Sequence, residues 1–493
     1  MITISRLLAK EIRSVFRRAL QITASHTDQL VWLLADDTGL RVRAQNQHAI
    51  AEHHLAGHIA ADSVPITMAA LAACEGNKSE EIVSVEQRAD GTVMLRWEDR
   101  SIPQSFQFDS KKVRTDPPPA LPENWSSNPP RLLHALNDAM QILPADSTRY
   151  ALNCVQLRPR DGRIAATDSR QLLVQTGFEF PGDSELLIPR TTLFNSRELA
   201  GDQAVDVGVT ANHGVFRTGP WTFWLPLDKQ GRYPRVEDII PAANSAKTRV
   251  NLSAEDLAFL LDVVPRLPEE TGQEGRVTLD FNGSVALLAK GDGESPVTQV
   301  VLRNSRREGD EVRLNTDRQF LVRAAQLGFR ELEIHAPESP LVCRDEQRIY
   351  LWASLAEKPV LTAGADAVQI ASQLTSSTSH RPARHIPPPR RSRPIPERTP
   401  SRMPHNRIAA TLAGSTPEPT NGSPLPVTEP NTTTDPASSL GAVLHEAEAV
   451  KTALREAHSR VSRLITALKR NRRQSKLMQS TLASLRQLQS LES

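Results

Sequence analysis

The sequence predicts an α+β fold: three similar domains, each with two helices backing antiparallel sheets, then a disordered linker and a C-terminal coiled-coil helix. Three observations predict it. Long-helix signatures start near residues 6, 131 and 253, and short-helix signatures recur near 65, 189 and 316, with strand-like runs between them. The composition changes abruptly near residue 358, and an apolar heptad runs through the last fifty residues. The expected divisions are domains at 1–115, 128–245 and 246–357, a Pro/Arg-rich linker at 358–439 and a coiled coil at 440–491.

Residues 2–5 read as a strand. From 6 to 22, Leu8, Ile12, Val15, Ala19 and Ile22 recur at helical spacing and form one apolar stripe. Lys10, Arg13 and Arg17 lie on another face. Strands follow at 30–34, 40–44 and 49–55. Ser63-Val64-Pro65 reads as the cap and first turn of a short helix to about Cys74, and strands return at 82–86 and 93–97. Pro117, Pro118, Pro119 and Pro122 form a joint. The second round has a helix at 131–143, strands at 150–157, 164–175 and 184–188, a short helix from Pro189 through Leu199, and strands at 204–209 and 213–217, with Trp221 to Trp224 after them. In the third, Ser253 caps a helix with Glu255 and Asp256 in its first turn and Leu257, Leu260, Leu261 and Val264 as apolar positions. Strands follow at 276–281, 284–289 and 297–303. A helix capped at Asn315-Thr316-Asp317 runs to Gly328, and strands close the round at 331–335, 340–344 and 348–353.

The most informative stretch is residues 149–174, RYALNCVQLRPRDGRIAATDSRQLLV. Apolar groups at near-alternate positions flank a turn centred on Asp161-Gly162, a pair that accepts positive φ. The return strand from Ile164 to Val174 is broken by Thr167-Asp168-Ser169-Arg170, polar groups that must be hydrogen-bonded, exposed or used. Together with GRYPRVEDIIP at 231–241, these motifs resemble the middle domain of the bacterial sliding clamp, the beta subunit of DNA polymerase III. That family runs approximately R-Y-x-L-N-G, A-T-D-G-H-R-L and G-x-F-P-D-Y-x-x-V-I-P, in this order and spacing. The resemblance covers roughly residues 1–358.

The resemblance implies three DNA-clamp domains per chain, two chains head to tail in a ring of six domains, and helices lining a hole that holds double-stranded DNA by topology. It implies a non-catalytic processivity factor without cofactor or metal, tethering DNA polymerase and clamp-loader subunits through short peptide motifs. The expected location is cytoplasmic and nucleoid-associated. In the family an apolar cleft between the middle and last domains holds the peptides. The matching positions are Leu152, Thr167, Leu172, Pro234, Ile239, Leu351 and Ala353. The chain departs from the pattern at its rim: Ser169-Arg170-Gln171 replaces Gly-His-Arg, Asp238 stands for an Arg, and Ala353-Ser354 replaces Met-Pro. For DNA, the candidates are Lys10, Arg13 and Arg17 on the first helix and Arg190, Arg197, Arg318 and Arg323 on the short helices. The long helices of the second and third rounds are not basic.

The remaining features exclude more than they add. The chain has 59 Lys+Arg and 57 Asp+Glu, but the balance is split: residues 359–493 hold 18 basic and 9 acidic groups, leaving 41 and 48 in residues 1–358. A body of net −7 and a tail of net +9 restrict nucleic-acid contact to local patches or the tail. Cys74, Cys154 and Cys343 are isolated, without zinc spacing. His48, His53, His54 and His58 have no Cys or Asp partner at ligand spacing. No phosphate-loop, serine-elbow or metalloprotease motif occurs, and no apolar run is long enough to cross a membrane. The Arg-rich start also fits a transit peptide, a reading set below the strand and helix that open the resembling family. In the tail, 15 of the 36 prolines fall between Pro359 and Pro436. The heptad places Val443, Val450, Ala457, Leu464, Asn471, Met478 and Leu485 at a, with Ala447, Leu454, Val461, Leu468, Ser475 and Leu482 at d. The alternative to a replicative clamp is a diverged clamp-like scaffold or nucleoid-associated protein, assembled and targeted through this tail.

Overall fold

A computed structural model describes residues 1–23, 28–110, 117–144, 151–271, 275–355 and 359–374. The chain divides into two compact units, Met1–Arg384 and His385–Ser493, and every described residue belongs to the first. The expected coiled coil and most of the linker lie outside the described residues.

The element order repeats three times. The first round is β1 (Ile2–Ser5), α1 (Arg6–Ala19), β2 (Leu30–Asp36), β3 (Gly39–Gln45), β4 (Ile50–Ala56), β5 (Asp62–Thr67), α2 (Met68–Cys74), β6 (Ile82–Gln87), β7 (Thr92–Asp99) and β8 (Ile102–Asp109). The second is β9 (Trp125–Asn128), α3 (Arg131–Ile142), β10 (Cys154–Arg158), β11 (Arg163–Thr167), β12 (Gln171–Gln175), β13 (Leu186–Pro189), two 3₁₀ turns (Leu193–Asn195 and Arg197–Leu199), β14 (Val205–Val209), β15 (His213–Thr218) and β16 (Trp221–Pro226). The third is β17 (Thr248–Asn251), α4 (Ala254–Val263), β18 (Arg276–Asp280), β19 (Ala286–Ala289), β20 (Thr298–Val301), an inserted β21 (Arg306–Gly309), β22 (Arg313–Asp317), α5 (Arg318–Gln326), β23 (Glu331–Ile334), β24 (Leu341–Arg344) and β25 (Arg348–Trp352). A last strand, β26 (Val368–Ala371), follows.

Each round makes two four-stranded sheets. In the first they are β1-β6-β7-β8 and β5-β2-β3-β4. The rounds are then joined by strand pairing. β4 of the first pairs antiparallel with β16 of the second, giving an eight-stranded sheet. β12 of the second pairs antiparallel with β25 of the third, and with β21 added beside β17 this sheet has nine strands. At both junctions the last strand of the second-type sheet meets the final strand of the next round. The helices pack on one another and on the sheets: α1 packs on α2, α3 on the first 3₁₀ turn and on β10 to β12, and α4 on α5. Strands beneath them, such as β11 and β18, are buried throughout, whereas β2 alternates in the half-buried pattern of a sheet with one wet face.

Local chemistry explains most boundaries. Ser5 caps α1 by accepting from Leu8 N at 3.1 Å, and Gln21 at φ 53° ends the helical path before Ile22. Ser253 and Asp317 cap α4 and α5. Four readings from sequence are corrected. Ser63-Val64-Pro65 is strand, not helix: β5 is the sheet's edge, where a Pro with no N–H costs no ladder bond, and Thr67 caps α2 instead. The short helix of 189–199 is two 3₁₀ turns, where Thr191 Oγ1 accepts from Leu193 N and Asn195 and Ser196 disfavour helix. The run 164–175 is a hairpin, β11 and β12, rather than one broken strand. Residues 359–374, expected within the disordered linker, are hydrogen-bonded to the third round, because β20 leaves an edge of open backbone groups for them to satisfy.

Candidate functional site

The two sequence motifs meet at the β12–β25 junction. Thr167 lies opposite Leu172 across β11 and β12, and Leu172 opposite Leu351 across β12 and β25. All three are buried. The turn between β11 and β12 is held by its own polar groups. Thr167 Oγ1 donates to the Gln171 carbonyl at 2.6 Å, and Asp168 Oδ1 accepts from Arg170 N and Gln171 N at 2.8 and 2.9 Å. Gln171 Oε1 accepts from the Tyr350 hydroxyl at 2.7 Å. Ser169 takes φ 78°, the left-handed region that Gly occupies without strain. Arg170 lies over the Phe320 ring, 5.3 Å from its centroid, and 3.5 Å from Asp317. The polar break in the strand is therefore a hydrogen-bonded turn, with Ser169 and Arg170 exposed.

Residues 231–241 roof this seam. Val236 is buried with Ala165, Leu172, Val174, Val342 and Leu351, and Tyr233 and Ile240 pack against the same cluster. Burial raises the Tyr233 hydroxyl well above its ordinary value. The roof is pinned by charge. Arg163 is buried and reaches Glu237 at 2.6 Å, Arg158 reaches Glu237 at 2.5 Å, and Arg344 donates to the Pro241 carbonyl at 3.0 Å. Desolvation pushes the Glu237 carboxyl up, but a backbone hydrogen bond together with Arg163 and Arg158 outweighs it and holds the group below its usual range. Of the expected cleft residues, Thr167, Leu172 and Leu351 are thus covered, Pro234 and Leu152 are half-buried, and Ile239 and Ala353 are exposed. Ile239 is 50% exposed, an apolar side chain left open to solvent. Sequence reasoning missed Tyr233, Val236, Arg163 and Glu237. The spacing of Tyr233, Val236 and Ile240 was the available signal.

The basic candidates separate by environment. On α1, Lys10 donates to Asn77 at 2.6 Å, Arg13 pairs with Glu75 at 2.8 Å, and Arg17 is exposed in the last turn, where a cation suits the helix dipole. The end of α1 meets the 3₁₀ region of the second round. Arg18 donates to Asn195 O at 2.5 Å, Gln21 to Arg190 O at 3.0 Å, and Thr192 to Arg18 O at 3.2 Å. Ser14, Arg17, Arg18, Gln21, Ile22 and Thr192 line a surface cavity of about 460 Å³ there. The exposed side chains of Arg190 and Arg197 belong to the same region. Arg323 donates to Gln141 at 2.5 Å. Arg318 is corrected: it is 6% exposed and donates to the carbonyls of Leu267 and Pro268, so its guanidinium holds the fold and does not face solvent.

Other sequence candidates resolve as structure. The three cysteines are free and buried, and burial pushes the thiols of Cys74 and Cys154 up to about 12. Among the described residues no three His, Cys, Asp or Glu side chains gather to hold a metal. No helix among them is long and apolar enough to cross a membrane.

No family model matches the chain, and no curated protein does. Solved structures do. A sliding clamp (DNA polymerase III subunit beta) from Pseudomonas aeruginosa bound to griselimycin is 16% identical, with a TM-score of 0.60, over 72% of this chain and 98% of that one. The DNA polymerase sliding clamp from Bacillus subtilis gives 16%, 0.60, 72% and 98%. The subunit beta from Borrelia burgdorferi gives 12%, 0.61, 72% and 97%. The chain resembles the bacterial sliding clamps in diverged form and has their fold over nearly the whole length of each clamp.

Proposed function

We propose that the chain is a beta-type DNA sliding clamp, closing head to tail with a second copy around double-stranded DNA. One observation carries this reading: both internal junctions follow the same rule, β4 with β16 and β12 with β25. The strands left over by that rule are β20 in the third round and β8 in the first. A second application pairs β20 of one chain with β8 of another, and two such contacts close a ring of six domains. A ring retains DNA without tight contacts, which agrees with a body of net −7 that carries a local basic region at the end of α1. Arg17, Arg190 and Arg197 would meet phosphates there, with Lys10, Arg13 and Arg323 freed from their neutral or acidic partners only in part. The exposed Ile239 and Ala353, with the half-buried Pro234 and Leu152, would receive an apolar peptide anchor from a polymerase or loader subunit. No step of this function needs catalysis or a cofactor.

The test is topological. Protein loaded on a nicked circle should survive a high-salt wash and be lost when the circle is cut. Equal retention on circle and linear DNA would reject the clamp. The scaffold alternative is favoured by one observation: Val236 and Tyr233 of the chain itself fill the seam above Leu172 and Leu351. A scaffold predicts no difference between the two DNA forms and full dependence on the tail.

A further inference from the structure

β26 lies on the edge that the junction rule leaves for a second copy. The sheet order is β22-β18-β19-β20-β26, and β26 pairs parallel to β20, with Thr298 opposite Val368 and Val301 opposite Ala371. Among the described residues this is the only parallel pairing; both domain junctions are antiparallel. The solved clamps match 72% of the chain, 0.72 × 493 or about 355 residues, which is close to the span from β1 through β25.

The arm that carries β26 is held at both ends and loosely between them. The Pro359 carbonyl accepts from Asn315 at 3.2 Å, and Leu361 N donates to Thr278 Oγ1 at 3.0 Å. Beyond the strand, Ser372 is 3% exposed; its N donates to Val301 O at 3.0 Å and its Oγ accepts from Arg303 N at 2.9 Å. The Ser372 hydroxyl also reaches the Asp256 carboxylate, which Asn304 and Ser305 bond as well. In between, Val368 is 49% and Ile370 38% exposed. A four-residue parallel strand with exposed apolar groups buries little and gains less per residue than an antiparallel one.

The complementary edge is open. β8 has eight residues, pairs with β7 along its length, and has no strand on its outer side among the described residues. Pro103 lies in it, opposite Glu98, and the Glu98 carbonyl is turned away to Arg6. Pro103 therefore stands at an outward-facing position, and so does Ser105 two residues on.

We propose that residues 359–374 are a displaceable edge cap: β26 occupies β20 in place of β8 from a second copy, and its release permits the two chains to pair. The proposal rests on the ring reading above. A tethered cap competes at a high effective concentration, so releasing it should tighten self-association at least about ten-fold.

The experiment uses the full-length chain, with self-association measured by sedimentation. Val368→Pro removes the N–H given to Val297 O, and Ser372→Asp sets a second carboxylate against Asp256. Amide exchange at β20 reports release, and Ser105→Pro blocks the outer edge of β8. The expected result is faster exchange at β20, a ten-fold or greater gain in association, and loss of that gain on adding Ser105→Pro. Unchanged exchange, or release without a gain, overturns the cap. If Ser105→Pro weakens association equally with the arm bound and released, the cap falls and the ring stands. If Ser105→Pro has no effect in either background, the ring reading falls too.

Discussion

His53 sits where the first two rounds join. It lies opposite Trp221 across β4 and β16, its ring edge-on to the indole at 4.5 Å, and it is 5% exposed. Burial, with a smaller contribution from His54, lowers its pKa to about 4. The sign follows from linkage. Between about 6.5 and 4 the unfolded chain takes up a proton that the folded chain refuses, so stability falls as pH falls through that window. The full effect is of order a few kcal/mol. Urea midpoints measured from pH 7 to 5 should drop for the native chain and drop less for His53→Phe. Parallel curves would show that His53 is not the group responsible. The sequence offered His53 only as one of four histidines; its burial comes from a strand pairing with a residue 168 positions away.

At the element scale, the hairpin of β10 and β11 depends on Gly162. The 3₁₀ turn Pro159–Asp161 ends on Gly162 at φ 58°, and a Cβ there would lie 1.9 Å from the Phe178 carbonyl oxygen. Gly162→Ala should therefore cost about 2–4 kcal/mol, more than a left-handed conformation costs alone. A thermal midpoint within a degree or two of the native chain would contradict that. The Asp-Gly signal was visible in sequence, and so were the helix caps at Ser253 and Asp317, whereas Ser5 and Thr67 were not read as caps. Pro65 and residues 189–199 were misread for a common reason. Whether Pro stands in a strand edge or a helix start, and whether a capped turn continues, is decided by the neighbouring strand and not by the local residues.

For the whole molecule, the split of charge has a consequence of its own. A clamp whose retention is topological should keep nicked-circle retention when residues 375–493 are deleted, while its binding to linear DNA at low salt should fall several-fold with the loss of basic groups. Loss of circle retention in that variant, with the described unit still folded by circular dichroism, would assign DNA holding to the tail. The same scale accounts for the covered cleft. Val236 and Tyr233 reach the seam because Arg158 and Arg163 clamp Glu237. Glu237→Gln leaves the buried Arg163 uncompensated and should destabilise the unit by about 1–3 kcal/mol. The loosened roof should also expose Leu172 and Leu351, read as increased binding of a hydrophobic dye at the same protein concentration.

By itself the sequence determined the α+β class, the three rounds of elements, the motifs at 149–174 and 231–241, and the acidic body with a basic tail. These follow from periodicity, capping, turn chemistry and composition, which are local. Only the tertiary structure decided that Arg318 is buried, that the chain's own Val236 and Tyr233 fill the seam, that β4 and β12 join the rounds, and that β26 covers β20. Each of these depends on which backbone edge or apolar face lies nearby, and hydrogen bonding and burial between residues about fifty or more apart leave no period in the chain.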